Sequence, residues 1–177
     1  MILDELAAFA RKRVAADQAK TPLADIKAQA EAMPKGDFRF EKALAGKDCA
    51  FICEVKKASP SKGVIAEEFP YVEIAGDYEK GGARAISVLT EPYWFQGSDN
   101  YLKEIRKAVG LPIIRKDFVV DEYMIYEAKV LGASAVLLIC SILCENQMKQ
   151  YLRICDELGL SALVEAHDEA EVTMALN

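Results

Sequence analysis

The sequence is poor in several residues and patterns that mark particular classes of protein. It has a single histidine, His167, so we expect neither a His-rich metal site nor a histidine-based catalytic triad. No apolar run approaches the roughly 18 residues of a membrane span, and Met1–Phe9 lacks the basic and apolar regions of a secretion signal. Basic residues number 22 against 28 acidic ones, which disfavours nucleic-acid binding. We therefore expect a protein that binds neither membrane nor nucleic acid.

The cysteines also argue against a disulfide framework. There are 5 of them, an odd number with irregular spacing and without the paired spacing of zinc ligands. This pattern indicates a reducing compartment, with the cytosol (cytoplasm) as the default, and small buried hydrophobic residues as the role of the cysteines. We expect no bound metal. With 52% hydrophobic and 28% charged residues, the composition is that of a globular domain.

The chain divides into a helical part, residues 1–48, and a part in which strands and helices alternate, residues 49–177. Helices are predicted from Met1 to about Ala19, before Pro34, and over Phe38–Leu44. After that, short apolar runs begin near positions 50, 83, 111, 134 and 161, at intervals of roughly 23 to 33 residues, the size of a strand with its crossover helix. The runs read AFICEVKK, ARAISVLTE, LPIIRKDF, SAVLLICS and SALVEA.

The apolar runs indicate parallel strands that are buried on both faces. Glycines precede four of them, and we expect each of these glycines to end a helix in the left-handed conformation: Gly82, Gly110, Gly132 and Gly159. Helices are predicted between the strands, for example over 121–131 and 144–158. Both a doubly wound sheet and a (β/α) barrel fit this alternation.

Four charged residues favour the barrel. Glu54 and Lys56, then Lys116, then Glu165 lie at or just beyond the carboxyl ends of three runs, where a parallel sheet binds its ligand. The turn after the first run, 57–63, has neither GxGxxG nor a P-loop. Charges of this kind can be ion pairs that close a barrel end, but four of them at one end of one sheet are better explained by a functional site.

Three further features have a structural and a functional interpretation. The aromatic run Tyr93-Trp94-Phe95 either packs a loop or forms a lip over a flat substrate. Arg115 is expected on the side of its strand that faces the helices, ion-paired and without a catalytic part. His167 is expected in a loop or cap near a helix start.

Four stretches of the sequence are distinctive: CEVKKASPSKG at 53–63, SVLTEPYWFQGS at 87–98, IIRKDFVVDEYMIYEAKVLGASAVLLI at 113–139 and ALVEAHDEAE at 162–171. Together they resemble the N-terminal two thirds of the indole-3-glycerol phosphate synthase family, (β/α)8-barrel (TIM-barrel) lyases of tryptophan biosynthesis. The helical extension before the first strand also fits this family. The resemblance implies ring closure, decarboxylation and dehydration of carboxyphenylamino-deoxyribulose phosphate, a substrate with one carboxylate and one phosphate, and no cofactor.

The resemblance also implies roles for individual residues. Lys116 would be a general acid, and Lys56 would hold the anionic substrate or act as the acid in one step. Glu165 and Glu54 would act as base or stabilise developing positive charge. The remaining residues, expected to bind the substrate in a closing loop or as apolar walls around its ring, are Ser59, Phe95, Phe118 and Leu137.

Only five βα units are present, whereas an eight-stranded barrel needs eight. The sequence ends at 174–177 within a helical pattern, so we expect an incomplete barrel in a truncated chain that is inactive alone and self-associates through its open sheet edges. Two alternatives remain at this point. One is another phosphosugar-binding barrel such as phosphoribosylanthranilate isomerase, which uses a cysteine and an aspartate and lacks the extension. The other is a non-catalytic assembly or folding fragment.

Overall fold

The structure is a computed structural model that describes residues 2–176 of the chain. Met1, where the first helix is predicted to begin, and Asn177, at the end of the last predicted helix, lie outside the described residues. Three helices precede the first strand, and strands then alternate with helices up to residue 176. The division into 1–48 and 49–177 as separate domains stays a prediction.

The main sheet has five parallel strands that follow one another in chain order. Each lies within one of the five predicted apolar runs, so the strand prediction is confirmed. The strand order does not reverse as it does in a doubly wound sheet, so with the intervening helices this is an incomplete (β/α) barrel. The strands are β1 (Ile52–Val55), β4 (Ala85–Leu89), β5 (Ile113–Lys116), β6 (Ala135–Ile139) and β7 (Ser161–Glu165). A short antiparallel hairpin that the sequence pattern does not predict follows β1, with strands β2 (Ala58–Ser59) and β3 (Gly63–Val64).

The helices confirm the predicted alternation. Five follow strands: α4 (Tyr71–Lys80), α5 (Asp99–Ala108), α6 (Tyr123–Leu131), α7 (Glu145–Leu158) and α8 (Glu169–Leu176). The helical extension consists of α1 (Ile2–Lys20), α2 (Leu23–Ala32) and α3 (Arg39–Leu44).

Glycines end two helices as predicted, and one prediction is wrong. Gly132 and Gly159 adopt left-handed φ values of 90° and 68° at the ends of α6 and α7. Gly82 is also left-handed, one residue beyond the cap of α4. Gly110 is not left-handed, because α5 ends at Ala108 and Val109 leaves the helix in an extended conformation.

The sheet has two faces that differ in what covers them. Alternate strand residues such as Ile86, Val88 and Val136 point toward the helices and are buried in the main core. The opposite, inner face carries a smaller apolar cluster of Ala85, Ile114, Ala135, Leu137 and Ile139, with Phe40 of α3 packed against it. Ile52 and Leu163, on the two edge strands β1 and β7, remain about 40% exposed.

The helical extension contacts the sheet both at the carboxyl ends and at the amino ends of the strands. Helix α1 reaches the loops at the carboxyl ends of the strands, where Arg13 contacts Asp117 after β5. Helix α2 packs on α6. The chain then passes under the amino end of β7, where the Gly36 backbone N–H donates to the Leu158 carbonyl at 2.9 Å. The extension therefore crosses the outside of the sheet before α3 covers the inner face.

None of the helices in residues 2–176 combines the length and apolar character that a membrane crossing requires.

Candidate active site

Lys116 lies at the carboxyl end of β5, on the inner face of the sheet. It lines a small cavity with Leu89, Phe95, Phe118 and Leu137, and Asp117 also contributes to the lining. The rings of Phe95 and Phe118 are 6.1 Å apart between centroids. Among the described residues, no carboxylate lies within ion-pair distance of the Lys116 ammonium. An ammonium group beside aromatic and aliphatic walls can donate a proton to a substrate held against those walls.

Glu54 and Lys56 form an ion pair at the carboxyl end of β1. Lys56 Nζ donates to Glu54 Oε1 at 2.6 Å, and both side chains are about one third exposed. Ser87 of the neighbouring strand donates its hydroxyl to the other oxygen, Glu54 Oε2, at 3.2 Å. The two charges therefore lie on the same side of β1, and the pair is open to solvent and to a ligand.

Ser59 lies in the β2–β3 hairpin, directly after this ion pair. Its hydroxyl accepts a hydrogen bond from the Lys62 backbone N–H at 3.3 Å, and Ser59 pairs with Gly63 across the hairpin. The Ala58 backbone N–H donates to the Phe95 carbonyl at 3.2 Å. This hydrogen bond ties the hairpin to the loop that supplies one wall of the Lys116 cavity.

Glu165 ends β7 and pairs with the only histidine. His167 Nε2 lies 3.3 Å from Glu165 Oε1, and the second ring nitrogen lies 3.3 Å from Glu171 Oε2. The His167 backbone N–H also donates to Glu171, and α8 begins two residues later. His167 is therefore a loop residue close to a helix start.

The structure brings some of the predicted site residues into contact and leaves others apart. Lys116, Phe95, Phe118 and Leu137 share one cavity, and Glu54 and Lys56 share an ion pair. Within the part of the chain that the structure describes, neither Glu165 nor Ser59 forms a hydrogen bond or ion pair with Lys116. All of these residues lie at the same end of the sheet, as expected where parallel strands end together.

Each of the two interpretations of the aromatic run after β4, loop packing and a wall for the substrate, holds for a part of the run. Tyr93 and Trp94 pack against Phe9 of α1, each with its ring centroid 5.4 Å from that of Phe9, so they serve loop packing. Phe95 instead faces the cavity. The buried carboxylate of Glu91 holds the run by accepting hydrogen bonds from three successive backbone N–H groups, those of residues 93–95. Sequence reasoning missed Glu91, although a carboxylate at the end of an apolar run was a usable signal.

The buried Arg115 points away from the cavity into a cluster of carboxylates that range from fully buried to partly exposed. It pairs with Glu127 at 2.7 Å and Asp99 at 2.9 Å, and lies 3.9 Å from Asp117. Burial opposes the charged form of Arg115, but the three carboxylates outweigh it and raise the pKa of the guanidinium. The expected position facing the helices and its ion pairing are confirmed.

The cysteine prediction is correct for two residues and wrong for two. Cys140 and Cys155 are buried, and burial is the main cause that raises the pKa of the Cys155 thiol to about 12. Cys49 and Cys144 are exposed because one lies in the loop before β1 and the other caps the start of α7. Cys53, in β1, is half-buried.

The family of the chain follows from comparison with known proteins. A family model described as Indole-3-glycerol phosphate synthase matches residues 3–177. The chain belongs to the indole-3-glycerol phosphate synthase family. Members of this family are carboxy-lyases of tryptophan biosynthesis with a TIM-barrel fold, so the membership favours the lyase over the isomerase that the sequence left open.

Curated relatives carry the same name. The chain is 53% identical over 177 residues to an indole-3-glycerol phosphate synthase of Ruminiclostridium cellulolyticum, and this match covers 99% of the chain and 68% of the relative. It is 48% identical to that of Lachnoclostridium phytofermentans and 50% identical to that of Endomicrobium trichonymphae, with 99% of the chain and 69% of each relative covered. The chain thus spans about two thirds of the length of these synthases.

Proposed function

We propose that the chain carries the reactive centre of an indole-3-glycerol phosphate synthase, with Lys116 as the general acid. The substrate would be carboxyphenylamino-deoxyribulose phosphate and the product indole glycerol phosphate, with loss of CO2 and water. The observation that supports this most is the cavity that Lys116 lines together with Phe95, Phe118 and Leu137. The apolar side chains suit the aromatic ring of the substrate, and the ammonium suits its carbonyl oxygen.

The reaction places definite demands on protons. Ring closure joins the ring carbon that bears the carboxylate to the ketone carbon of the sugar chain, and the ketone oxygen takes the electron pair and needs a proton, which Lys116 supplies. Loss of CO2 then returns its bonding pair to the ring and restores aromaticity. In the last step the new hydroxyl leaves as water with a second proton, while a base removes a proton from the adjacent CH2 carbon.

The other charged residues fit the remaining roles. Glu165 and Glu54 would act as the base or stabilise positive charge as water leaves. Lys56 would hold the substrate's anionic groups, or supply the second proton once substrate displaces it from Glu54, to which it is bonded at 2.6 Å. Ser59 would approach the substrate from the hairpin. The two site lysines, Lys56 and Lys116, in a chain with a net charge of −6 also favour a small anion as the ligand.

The proposal is tested in a chain with a complete barrel. We define the completed chimera as residues 1–177 joined to the third of the Ruminiclostridium cellulolyticum relative that the match leaves uncovered. Lys116→Met in this chimera should lower kcat by about 100-fold or more, because general acid catalysis contributes about 10²- to 10⁴-fold. Lys103→Met, on the exposed side of α5, is the matched control. Turnover by Lys116→Met equal to that of the control would disprove the role of Lys116.

The polypeptide of residues 1–177 alone should turn over substrate poorly. Its described residues form five parallel strands, and in barrels of this class the substrate phosphate is commonly bound by loops after the seventh and eighth strands. Formation of indole glycerol phosphate is measured for the 177-residue polypeptide and for the completed chimera at equal concentration. Equal rates would show that five strands suffice.

We further propose that the 177-residue polypeptide self-associates through its open sheet edges. The edge strands β1 and β7 carry Ile52 and Leu163, which are about 40% exposed on the inner face. Sedimentation should show dimers or larger species for the polypeptide and a smaller fraction of them for the completed chimera. A monomer over the whole concentration range would contradict this.

The compartment proposed for the protein is the cytosol. All five cysteines are free of disulfide bonds in the structure, which suits a reducing environment. Fractionation of cells that express the tagged protein tests the location, and recovery in a membrane or secreted fraction would contradict it.

A further inference from the structure

A cluster of buried charges lies directly behind the candidate active site and takes no part in the chemistry proposed above. At its centre is Asp117, whose side chain is fully buried. Its Oδ1 accepts hydrogen bonds from Arg13 Nη2 at 2.7 Å and from the Phe118 backbone N–H at 2.8 Å, while its Oδ2 accepts from the Thr90 hydroxyl at 2.6 Å. A carboxylate without contact to water is thus held by three donors.

These hydrogen bonds hold the backbone that carries the site residues. Lys116 and Phe118 face the cavity, and Asp117 between them bonds to groups behind it. The Thr90 backbone N–H donates to the Lys116 carbonyl at 3.1 Å, so Thr90 contacts both Lys116 and Asp117. A shift of the Asp117 carboxylate would therefore move the side chains on either side of it.

The charge of Arg13 is needed to keep the Asp117 carboxylate in place. The only other cation within 4.0 Å of the Asp117 carboxylate, among the described residues, is Arg115, which lies 3.9 Å away and is shared with Asp99 and Glu127 at shorter distances. Burial alone would raise the pKa of Asp117, but the charges of Arg13 and Arg115 lower it below its ordinary value. Without Arg13, the Arg115 guanidinium alone would balance the charges of the three carboxylates that it faces, Asp99, Asp117 and Glu127.

Helix α1 makes a second contact with the wall of the cavity. Phe9, on the same helix as Arg13, packs against Tyr93 and Trp94, and the next residue in that loop is Phe95. The helix thus touches the backs of the two loops that supply Phe95 and Phe118. These loops are separated from α1 in sequence by about 80 to 100 residues, so their positions depend on how the extension docks.

We propose that Arg13 is a positioning residue for the ring-closing reaction, because its ion pair with Asp117 makes the placement of Lys116 and Phe118 depend on the docking of α1. This inference rests on the proposed function of Lys116. Arg13 itself touches no substrate and transfers no proton.

The first test is hydrogen exchange in the 177-residue polypeptide. In Arg13→Gln, the Phe118 amide, which donates to Asp117, should exchange at least tenfold faster, while the amides of β6 keep their rates. Arg11→Gln, on the same helix but exposed, is the matched control and should change neither. Arg13→Lys keeps the charge and should restore most of the protection. If Arg13→Gln accelerates all amides equally, its role is only global stability and the proposal is wrong.

The second test measures turnover by the completed chimera. Arg13→Gln should lower kcat about tenfold with a smaller change in KM, and Arg13→Lys should recover most of kcat. Unchanged kcat in Arg13→Gln would overturn the proposal. If Arg13→Gln fails to fold, Thr90→Val takes its place, because it removes the donor to Asp117 Oδ2. It should likewise speed exchange of the Phe118 amide and lower kcat. Should Lys116→Met leave turnover unchanged, the proposed function fails, whereas faster exchange of Phe118 in Arg13→Gln would still support the link between α1 and the end of β5.

Discussion

Three successive charged residues at the end of β5 point alternately to the two sides of the sheet. Arg115 and Asp117 point toward the helices and are buried in ion pairs, while Lys116 between them faces the cavity and has no such partner within residues 2–176. Period-two alternation was enough to predict the face of Arg115 from sequence. The partners Arg13, Asp99 and Glu127 could not be predicted, because they come from three helices whose packing brings them to one place.

Replacement of Asp117 by asparagine should destabilise the fold strongly, although it exchanges only one side-chain oxygen for an NH2 group. Asp117→Asn removes the charge that Arg13 and Arg115 face and places an amide N–H₂ among donors. Loss of one partner from a buried pair costs about 3–5 kcal/mol, and the partial exposure of Arg13 brings our expectation to about 2–4 kcal/mol. Urea unfolding measures this free energy against Asp48→Asn, an exposed control. A loss below about 0.5 kcal/mol, the range of ordinary surface substitutions, would contradict the pairing.

Thiol reactivity should follow burial along the chain. Cys49 and Cys144 are exposed and should react rapidly with a disulfide reagent at pH 8, with Cys53 slower. Cys140 and Cys155 should stay unreacted on that timescale, since both are buried and burial raises both thiol pKa values, that of Cys155 to about 12. Five thiols should react in denaturant. Rapid modification of Cys155 in the folded protein would mean that α7 opens.

At the scale of elements, the role of the helical extension depends on which parts of the sheet and its helices it packs against. Its three helices follow from the sequence pattern, and their bounds agree closely with those predicted. The pattern does not reveal that α1 contacts the site loops, that α2 packs on α6, or that Phe40 covers the inner face. Amphipathic periodicity shows that a helix buries a face, but not which surface it meets.

The docking of the extension should be sensitive to a single methyl group at Gly36. A Cβ at this position would lie closer than 3.0 Å to the Gly159 backbone, which cannot move aside as a flexible side chain could. Gly36→Ala should therefore lower the free energy of unfolding by about 1–3 kcal/mol, the usual cost of overpacking. Gly76→Ala, within α4 and with nothing near its Cβ, should instead be neutral or stabilising by up to about 1 kcal/mol. Equal effects of the two substitutions would contradict the close approach.

At the scale of the whole molecule, the buried charge cluster should be visible in acid denaturation. The pKa of Asp117 is lowered in the folded state, so its contribution to stability is complete above its unfolded value, about 3.9, and is lost as pH falls through the folded value. The parent should therefore lose stability more steeply below about pH 4 than Asp117→Asn. Thermal unfolding between pH 2.5 and 6 measures both slopes. Parallel curves would mean that Asp117 has no depressed pKa.

The sequence by itself determined the alternation of strands and helices, the face of each strand, and the end of the sheet at which Lys56, Lys116 and Glu165 lie. These features are local, because side-chain direction alternates along a strand and parallel strands place their carboxyl ends at the same edge. The hairpin carrying Ser59 escaped prediction because its two strands have only two residues each. Only the tertiary structure decided which charges are paired, that Lys116 lies in a cavity with Phe95 and Phe118, and that Arg13 stands behind it. Such contacts join residues up to 104 positions apart, and only the packing of whole elements brings those residues together.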